Sequence, residues 1–342
     1  MEIEATDDLS TITRDPTEYL RVLASCGEDS VFLTPEWLAA WWKHFGEGRT
    51  VRILRAVEDG RAVGFGCLMV SELGSLVKLK KLEFLASGPS DRLGMVAENG
   101  REDVTKALVE AVRQDIKWDV AELNDMKEGG PTATQVLAAF EGAEISTEKV
   151  PYVPISGDFK SYLAALSQNM RHNMTRTMRR NFDDLSCSFV RHVAPEEIRT
   201  GMEDLFKLHG LRWASKGEDS AFTDRAIAFV KEAAAALSKR GVPVVHALVT
   251  KDGPTAMSLG FEYNGRYLYY LSGLDPRFSK YGPGRCLLSK IIEEAHTRGL
   301  TEVDLLRGEE QYKYQLGAVD RLNVSAKSTR RSLKGLVAGR AA

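Results

Sequence analysis

A short glycine-containing loop in the last third of the sequence has the residue types of a phosphate-binding site. Residues 279–288 read SKYGPGRCLL, so Gly282 and Gly284 precede a segment whose apolar periodicity predicts a helix. Glycines there would let a ligand approach the bare backbone, and the helix start offers unpaired N–H groups and a partial positive charge that suit a pyrophosphate. A tight turn would use the same glycines, so both interpretations stay open. The other predicted members of this loop are Lys280, Tyr281 and Arg285.

A second group of reactive side chains follows the next predicted strand, 303–306. The run DLLRGEEQYK extends from Asp304 to Lys313 and places carboxylates, a guanidinium, a phenol and an ammonium group at a strand end. Arg307 can hold a phosphate or a carboxylate in a bidentate grip. The alternative is an exposed charged loop in which Asp304 and Arg307 form a structural pair.

Two further groups have both a structural and a functional interpretation. His209 continues a predicted helical stripe of apolar residues, where a hydrogen-bonded core histidine is the default and a base facing a cleft is the alternative. Cys286 falls in the first turn of its helix, where a thiol can be acidified. Its helical phase predicts that it points away from the apolar face, and no base stands beside it, so it is a minor nucleophile candidate.

A basic face is predicted on a helix of the second half. Its members are Arg171, His172, Arg176, Arg179 and Arg180, opposite an apolar stripe formed by Leu163, Leu166, Met170, Met174 and Met178. Such a face can contact an anionic acceptor, a nucleotide-sugar or a tRNA acceptor stem, or it can simply be solvated.

Periodicity and turn signals divide the chain into two α/β halves. The first begins with a helix from Thr34 to Phe45 whose aromatic stripe (Trp37, Trp41, Phe45) predicts core packing. The second contains a helix over 195–213, three strands separated by turn residues, the glycine loop, a helix and a returning strand. The proline-rich segment VPYVPIS places the boundary near residue 150, which gives halves 1–150 and 151–342.

Composition narrows the class of protein. The 342 residues are 43% hydrophobic and 27% charged, which is typical of a globular protein. A net charge of −2 and a pI of about 6.4 argue against a DNA-binding protein. The acidic N-terminus predicts no signal peptide, no window predicts a membrane span, and four scattered cysteines predict neither a zinc site nor disulfides. We therefore expect a cytoplasmic protein without a metal.

Several segments in combination resemble one family. LHGLRW (208–213), SLGFEYNGRYLYYLSGLDP, KYGPGRCLL and VDLLRGEEQYK in the second half, with FLTPEWLAAWW, VGFGCLMV and GPSDRL in the first, resemble the CelD-type branch of the GNAT acyl-CoA N-acyltransferases. The relation to FemAB-type peptidyl transferases, which also pair two GNAT-like halves, is more distant. The resemblance covers about Phe32 to Lys313.

The resemblance implies a fold and a cosubstrate. It predicts tandem GNAT-like α/β halves, each a mixed, mostly antiparallel sheet flanked by helices, with the sheet opening between its central parallel strands. Acetyl-CoA or another acyl-CoA would enter that gap in the second half, with its pyrophosphate on the loop 280–285. The family pattern is Q/R-x-x-G-x-G/A, and Ser279 departs from its first position. Lys280 or Arg285 would supply the missing charge.

The resemblance also implies roles for single residues. Acyl transfer to an amine needs a base for the amine and stabilisation of the oxyanion and the leaving thiolate. Tyr312 would protonate the thiolate, and Lys313 and Arg307 would stabilise negative charge. Glu309 or Glu310 would be the base, with His209 as the other candidate. The residues expected to contact the acceptor, between the halves, are Arg212, Trp213, Asp91, Arg176 and Asp304. Asp91 and its neighbour Ser90 look like a Ser-Asp pair of the family, and a loop cap is the alternative.

The activity expected is therefore acyl-CoA-dependent N-acylation of a small molecule, a sugar or a cell-envelope precursor, by direct attack of the amine. The first rival is an aminoacyl-tRNA-dependent transferase of the FemAB kind, against which the near-neutral charge argues. The second is a decayed acyltransferase that only binds a ligand, which the departure at Ser279 favours. A link to polysaccharide biosynthesis comes from the family name alone.

Overall fold

The chain divides into two compact units. A computed structural model describes residues 1–74, 78–214 and 223–330, with the side chains of 213 and 214 left aside. Unit 1 comprises Met1–Glu148 together with the segment that starts at Leu322, and unit 2 comprises Lys149–Arg321. Two strands continue from one unit into the other, β7 (Glu144–Pro154) and β13 (Val319–Thr329).

The remaining elements alternate between helices and strands. Unit 1 contains β1 (Glu2–Thr6), α1 (Ser10–Thr13), α2 (Thr17–Ala24), α3 (Pro35–Phe45), β2 (Arg49–Glu58), β3 (Arg61–Leu73), β4 (Leu79–Phe84), β5 (Val96–Ala97), α4 (Glu102–Gln114), β6 (Val120–Lys127) and α5 (Pro131–Ala139). Unit 2 contains α6 (Phe159–Ala165), α7 (Gln168–Arg179), β8 (Ser188–His192), α8 (Pro195–Ala214), α9 (Asp224–Ser238), β9 (Pro243–Thr250), β10 (Gly253–Tyr263), β11 (Arg266–Leu274), α10 (Pro283–Thr297), β12 (Glu302–Asp304) and α11 (Gln311–Gln315).

Each unit is built on a sheet with one parallel strand pair. In unit 1 the strand order is β1-β2-β3-β4-β6-β13, and β4 and β6 are parallel. In unit 2 the order is β7-β12-β11-β10-β9-β8, and β11 and β12 are parallel. All other described pairs within each unit are antiparallel. A parallel pair requires a crossover, and α4 and α10 provide it.

Close packing in unit 1 depends on a small residue in the central strand. β3 is buried from Ala62 to Met69, because it lies between two strands and carries α2 and α4 on its surface. At Gly64 a Cβ atom would come within 2.4 Å of Val104 Cγ1 in α4. The glycine therefore allows the crossover helix to lie directly on the sheet.

Unit 2 has helices on both faces of its sheet. Val244 and Leu248 of β9 belong to the buried cluster that includes the apolar face of α10. The intervening Val245 instead faces α8, since a Cβ atom at Gly201 would lie 3.0 Å from its Cγ1. Adjacent residues of a strand point to opposite faces, so α8 and α10 lie on opposite sides. Among the described residues no helix is long and apolar enough to cross a bilayer.

The structure confirms the predicted fold class and corrects several elements. The long amphipathic helix predicted near residue 170 is two helices, α6 and α7, which separate at Leu166 and Ser167. Ser167 has extended backbone angles and its hydroxyl accepts a hydrogen bond from Met170 N–H, so it caps α7. Its predicted apolar stripe is nevertheless buried or half-buried throughout. The segment VPYVPIS, predicted as a boundary loop, begins within β7.

Candidate active site

The parallel strands of unit 2 pair at one end and separate at the other. β11 and β12 are paired over three positions, of which the last joins Leu268 to Asp304. β12 ends there and the chain follows β7 instead, through a bond from Leu305 N–H to Pro151 O. Residues 269–274 of β11 therefore continue without a β12 partner. A bulge opposite Gly260 at Tyr270 bends β11 where this separation begins.

The loop between β11 and α10 follows the free end of β11. It forms a 3-10 turn over Pro276–Tyr281 and then a left-handed residue, Gly282 (φ 64°), which is the N-cap of α10. Pro283 at the first helical position has no N–H to satisfy, so the first free amides of α10 are those of Gly284 and Arg285. The glycine loop therefore leads into a helix whose start leaves the amides of Gly284 and Arg285 without an intrahelical acceptor.

The end of α7 packs against this loop and adds positive charge to it. Arg180 Nη1 donates to Lys280 O (3.2 Å), and Asn181 Nδ2 donates to Tyr281 O (2.9 Å). Arg176 lies one turn before Arg180 on the same side of the helix and is exposed. The structure thus brings the basic face of α7 next to the glycine loop, which the sequence did not predict.

The two glycines of the loop are favoured at their positions for different structural reasons. Gly282 needs its left-handed backbone conformation, which favours glycine. At Gly284 a Cβ atom would lie 2.9 Å from Leu274 Cδ2, so this glycine lets the end of β11 pack on the first turn of α10. Gly284 is consequently required for packing whether or not its amide meets a ligand.

A polar cluster lies along the free part of β11. His209 Nδ1 is 3.1 Å from Ser272 O, Arg212 Nη1 lies 3.4 Å from Ser272 Oγ, and the Tyr269 hydroxyl also bonds to Ser272. A carbonyl oxygen only accepts, so the proton of His209 is on Nδ1 and Nε2 is the basic nitrogen. Burial lowers the pKa of His209, which keeps the ring neutral near pH 7.

Tyr312 of α11 belongs to the same cluster. It packs against the core of unit 2 and interacts electrostatically with Tyr269, Glu310 and Arg212. Burial raises the pKa of its phenol well above the usual range, so the hydroxyl stays protonated and can donate a hydrogen bond. Sequence analysis named neither Tyr269 nor Ser272 as a site residue, because their proximity to α8 and α11 depends on tertiary contacts.

The structure gives Lys313 a structural task. Its side chain is 2% exposed, and Nζ donates to the carbonyls of Leu306 (3.1 Å), Arg307 (2.7 Å) and Gly308 (3.0 Å). Glu310 Oε2 lies 3.1 Å from the same nitrogen. Leu306 and Gly308 both have positive φ, so the ammonium group holds a strongly turned loop in place. These contacts support the loop rather than the predicted contact with reacting groups.

Asp304 is also engaged by the protein itself. Its Oδ1 accepts Leu306 N–H (3.0 Å), and its Oδ2 pairs with Arg321, which binds both oxygens of Glu302 at 2.9 Å. The Arg321 guanidinium lies 4.4 Å from the centre of the Tyr152 ring. Because Asp304 is buried and held in this network, it anchors the end of β12 and does not face an acceptor.

Three further predicted residues have definite places. Arg285 Nη2 lies 3.5 Å from Gln315 Oε1, and Arg307 is half-buried in the loop that Lys313 holds. Asp91 is a buried residue of unit 1 whose carbonyl accepts from Asn323 Nδ2 (2.6 Å). The side chain of Trp213 lies outside the described residues.

The prediction for Cys286 was wrong in its phase. The thiol is fully buried in the α10 cluster, 3.6 Å from Met178 Sδ, and burial raises its pKa to about 12. A buried, protonated thiol is a poor nucleophile, so this position argues against a nucleophilic role in the folded protein. In the described ranges no group of three or more His, Cys, Asp or Glu residues is placed to hold a metal ion.

The comparisons agree with this geometry. Residues 168–314 match the model of the acetyltransferase (GNAT) domain family, a stretch that runs from α7 to α11. Among solved structures, the chain is similar to FemX at 12% identity, with 95% of this chain and 97% of that chain covered and a TM-score of 0.65. It is also similar to a conserved protein of unknown function from Bacteroides thetaiotaomicron VPI-5482, at 12% identity, coverage of 96% and 100%, and a TM-score of 0.59.

At these identities the similarity to solved structures establishes the fold alone. A comparison with curated protein sequences found no match. The chain thus shares the fold of these solved structures, and its match to the acetyltransferase (GNAT) domain family covers residues 168–314, which lie within unit 2.

Proposed function

We propose that the chain transfers an acyl group from a CoA thioester to an amine, and that the reaction takes place in unit 2. The observation that carries this proposal is the separation of β11 from β12 after Leu268, with the start of α10 following the free end of β11. The gap suits a narrow pantetheine chain, whose amides can bond the backbone of residues 269–274 on the edge that β12 no longer covers. The match of residues 168–314 to an acetyltransferase domain supports the same function.

The residues around the loop fit the charged end of CoA. The amides of Gly284 and Arg285 and the positive end of a 15-residue helix favour the pyrophosphate. The family pattern has Gln or Arg at the position of Ser279. Positive charge for the phosphates is supplied here by Lys280, Arg285 and Arg180. Ser279 itself bonds to Pro276 O and so stabilises the 3-10 turn.

The polar cluster can carry out the proton transfers. The amine nitrogen forms a bond to the thioester carbonyl carbon and loses a proton to His209 Nε2. The carbon–sulfur bond then breaks, and the Tyr312 hydroxyl donates its proton to the leaving sulfur. Backbone N–H groups of the free part of β11 stabilise the oxyanion. Proton transfer of this kind contributes about 10²–10⁴-fold, so Tyr312→Phe should lower kcat by that order without changing CoA affinity.

Calorimetry with acetyl-CoA tests the proposed cosubstrate. The double variant Lys280→Glu/Arg285→Glu should bind CoA at least about tenfold more weakly, since two phosphate contacts become repulsive. Lys239→Glu, an exposed charge reversal at the end of α9, is the matched control and should bind as the parent does. Equal affinity in all three proteins, or no heat with any acyl-CoA, would refute the proposal.

The exposed arginines of α7 favour one rival, an aminoacyl-tRNA donor. Arg176 and Arg179 are exposed on the helix whose end contacts the loop, and they add to the charge of Arg180. This rival predicts binding of aminoacyl-tRNA that weakens steeply between low and moderate salt, without turnover of acetyl-CoA. Filter binding across a salt series, run beside the CoA titration, separates the two donors. A protein that binds CoA without turnover would instead be a decayed acyltransferase.

A further inference from the structure

Unit 1 contains a small cavity that the proposed reaction does not use. Its volume is about 260 Å³, and it lies at the N-terminal ends of α4 and α5. Its wall is formed by glycine backbone and by a few side chains, among them Cys26, Glu28, Asn99, Arg101 and Lys127. The volume is below the range of about 300–1,000 Å³ that is typical of pockets for drug-sized ligands, so only a small molecule fits.

The cavity occupies the position in unit 1 that the glycine loop occupies in unit 2. α4 crosses between the parallel strands β4 and β6, as α10 crosses between β11 and β12. The electrostatics are opposite, however. The first turn of α4 carries Glu102 and Asp103, whereas the first turn of α10 has no acidic residue. A pyrophosphate would be repelled at α4, so the cavity is suited to a different ligand.

Glu28 places one carboxylate oxygen at this cavity. The side chain is only 8% exposed, and its Oε2 accepts Thr132 N–H (3.0 Å) and Thr132 Oγ1–H (2.6 Å), which satisfies the start of α5. Oε1 lies over the backbone of Gly130, where a Cβ atom would come within 2.0 Å of it. Among the described residues, Oε1 has no hydrogen-bond donor. Glu28 lines the cavity, so a ligand or water there can donate to this oxygen.

The cationic groups around the cavity differ in how they are engaged. Arg101 is held by Glu58 (3.0 Å) and by Asp103 (2.8 Å). Lys127 is exposed at the rim and lies close enough to oppose the rise in the pKa of Glu28 that burial causes. The cavity therefore has an anionic oxygen inside and an ammonium group at its entrance.

We propose that this cavity binds a free α-amino acid. Its ammonium group donates to Glu28 Oε1, and its carboxylate meets Lys127 at the rim. A zwitterion of this size matches both charges and the small volume, whereas a nucleotide matches neither. This site is independent of the acyl transfer proposed for unit 2, and it gives unit 1 a ligand of its own.

Thermal denaturation and calorimetry test the site with defined probes. Glycine, L-alanine and L-serine are each compared with their N-acetyl and amide derivatives at millimolar concentration. A ligand that binds only the folded state must raise Tm. We expect the free amino acids to raise it, the N-acetyl forms to have no effect, and the amides to bind more weakly because they lack the carboxylate.

Two variants and one control distinguish the site from a nonspecific effect. Glu28→Gln keeps an oxygen for Thr132 but loses the charge, and should bind about tenfold more weakly. Lys127→Glu, on the exposed rim, should weaken the amino acid and leave the amide unaffected. Glu110→Gln on the exposed side of α4 is the charge-matched control. No Tm shift with any free amino acid, an equal shift with the N-acetyl forms, or unchanged affinity in both variants would overturn the proposal. CoA binding, measured in the same variants, should stay at the parent value.

Discussion

The contact between α8 and the sheet is most sensitive to an added side chain at Gly273 of β11. A Cβ atom at this position would lie 2.7 Å from His209 N, 2.7 Å from Leu205 O and 2.8 Å from Leu208 Cβ. Two of these atoms are helix backbone, which cannot rotate away as a long side chain can. Gly273→Ala must therefore push α8 off β11, and overpacking of this kind costs about 1–3 kcal/mol.

The assay for Gly273→Ala is thermal and urea denaturation, with acyl-CoA turnover as a second readout. For a unit of this size about 1 kcal/mol corresponds to roughly 2–4 °C, so we expect Tm to fall by about 2–12 °C. Turnover should fall more than stability alone explains, because His209 and Arg212 move with α8 away from Ser272.

Gly210→Ala is the matched control. It adds the same methyl group on the helix side of this contact, in α8 next to His209. A Cβ atom there would meet no atom within 4 Å. Replacing a helical glycine by alanine should stabilise the protein by about 1 kcal/mol, so the two variants are expected to shift Tm in opposite directions. A Gly273→Ala protein that melts with or above the parent would show that α8 is not seated on β11 as described.

Three more predictions concern buried groups of unit 2. Lys313→Met should lower the free energy of unfolding in urea by about 3 kcal/mol, because three carbonyls of a turned loop lose their donor, and an unchanged value would contradict the contacts of Nζ. Burial lowers the pKa of His246, so on acidification the unfolded chain binds a proton first, near pH 6.5. The stability that His246 contributes should therefore be full above that pH and decline as the pH falls below it. A His246→Gln variant should show a smaller decline of Tm between pH 7.5 and 5. Cys286→Ala should retain turnover, and mass spectrometry should find no iodoacetamide adduct at Cys286 in the native parent; rapid labelling would contradict its burial.

Strong local patterns made part of the fold predictable from the sequence. The aromatic stripe of Trp37 and Trp41 and the cap position Thr34 predicted α3 within one residue. The apolar period after the glycine loop predicted a helix where α10 is found. The order β9, β10 and β11 was predicted because turn residues separate strands of clear β-propensity, and the glycine loop, the helix and the returning strand β12 were predicted after them. Where the period continues across a break, as at Leu166, the sequence predicted one helix and the structure has two.

Elements that depend on distant partners were not predictable in the same way. β13 has many polar residues and pairs with β6, far away in the chain, so nothing in its own composition marked it as part of unit 1. β8 is short and only half-buried, at the edge of its sheet. Sequence analysis therefore placed the whole C-terminal stretch in the second half.

The candidate site shows the same division between local and distant information. The glycine loop and Tyr312 could be named from the sequence because their residue types suit the chemistry directly. Lys313 also has a residue type that suits the chemistry. In the structure, however, its ammonium group donates its hydrogen bonds to backbone carbonyls of the turn at Leu306. Ser272 has no distinguishing feature in the sequence. It belongs to the candidate site because His209 and Arg212 of α8 contact it in the folded structure.

The pairing of β13 with β6 bears on how the protein is made. During synthesis, the ribosome releases β6 early, whereas Leu322 and the residues after it emerge only once unit 2 is complete. Until then the edge of β6 that pairs with β13 has no partner strand, and an unpaired strand edge can associate with other chains. Unit 2 can thus fold while unit 1 is unfinished, and a nascent chain stopped before Leu322 should depend on a chaperone to stay in solution.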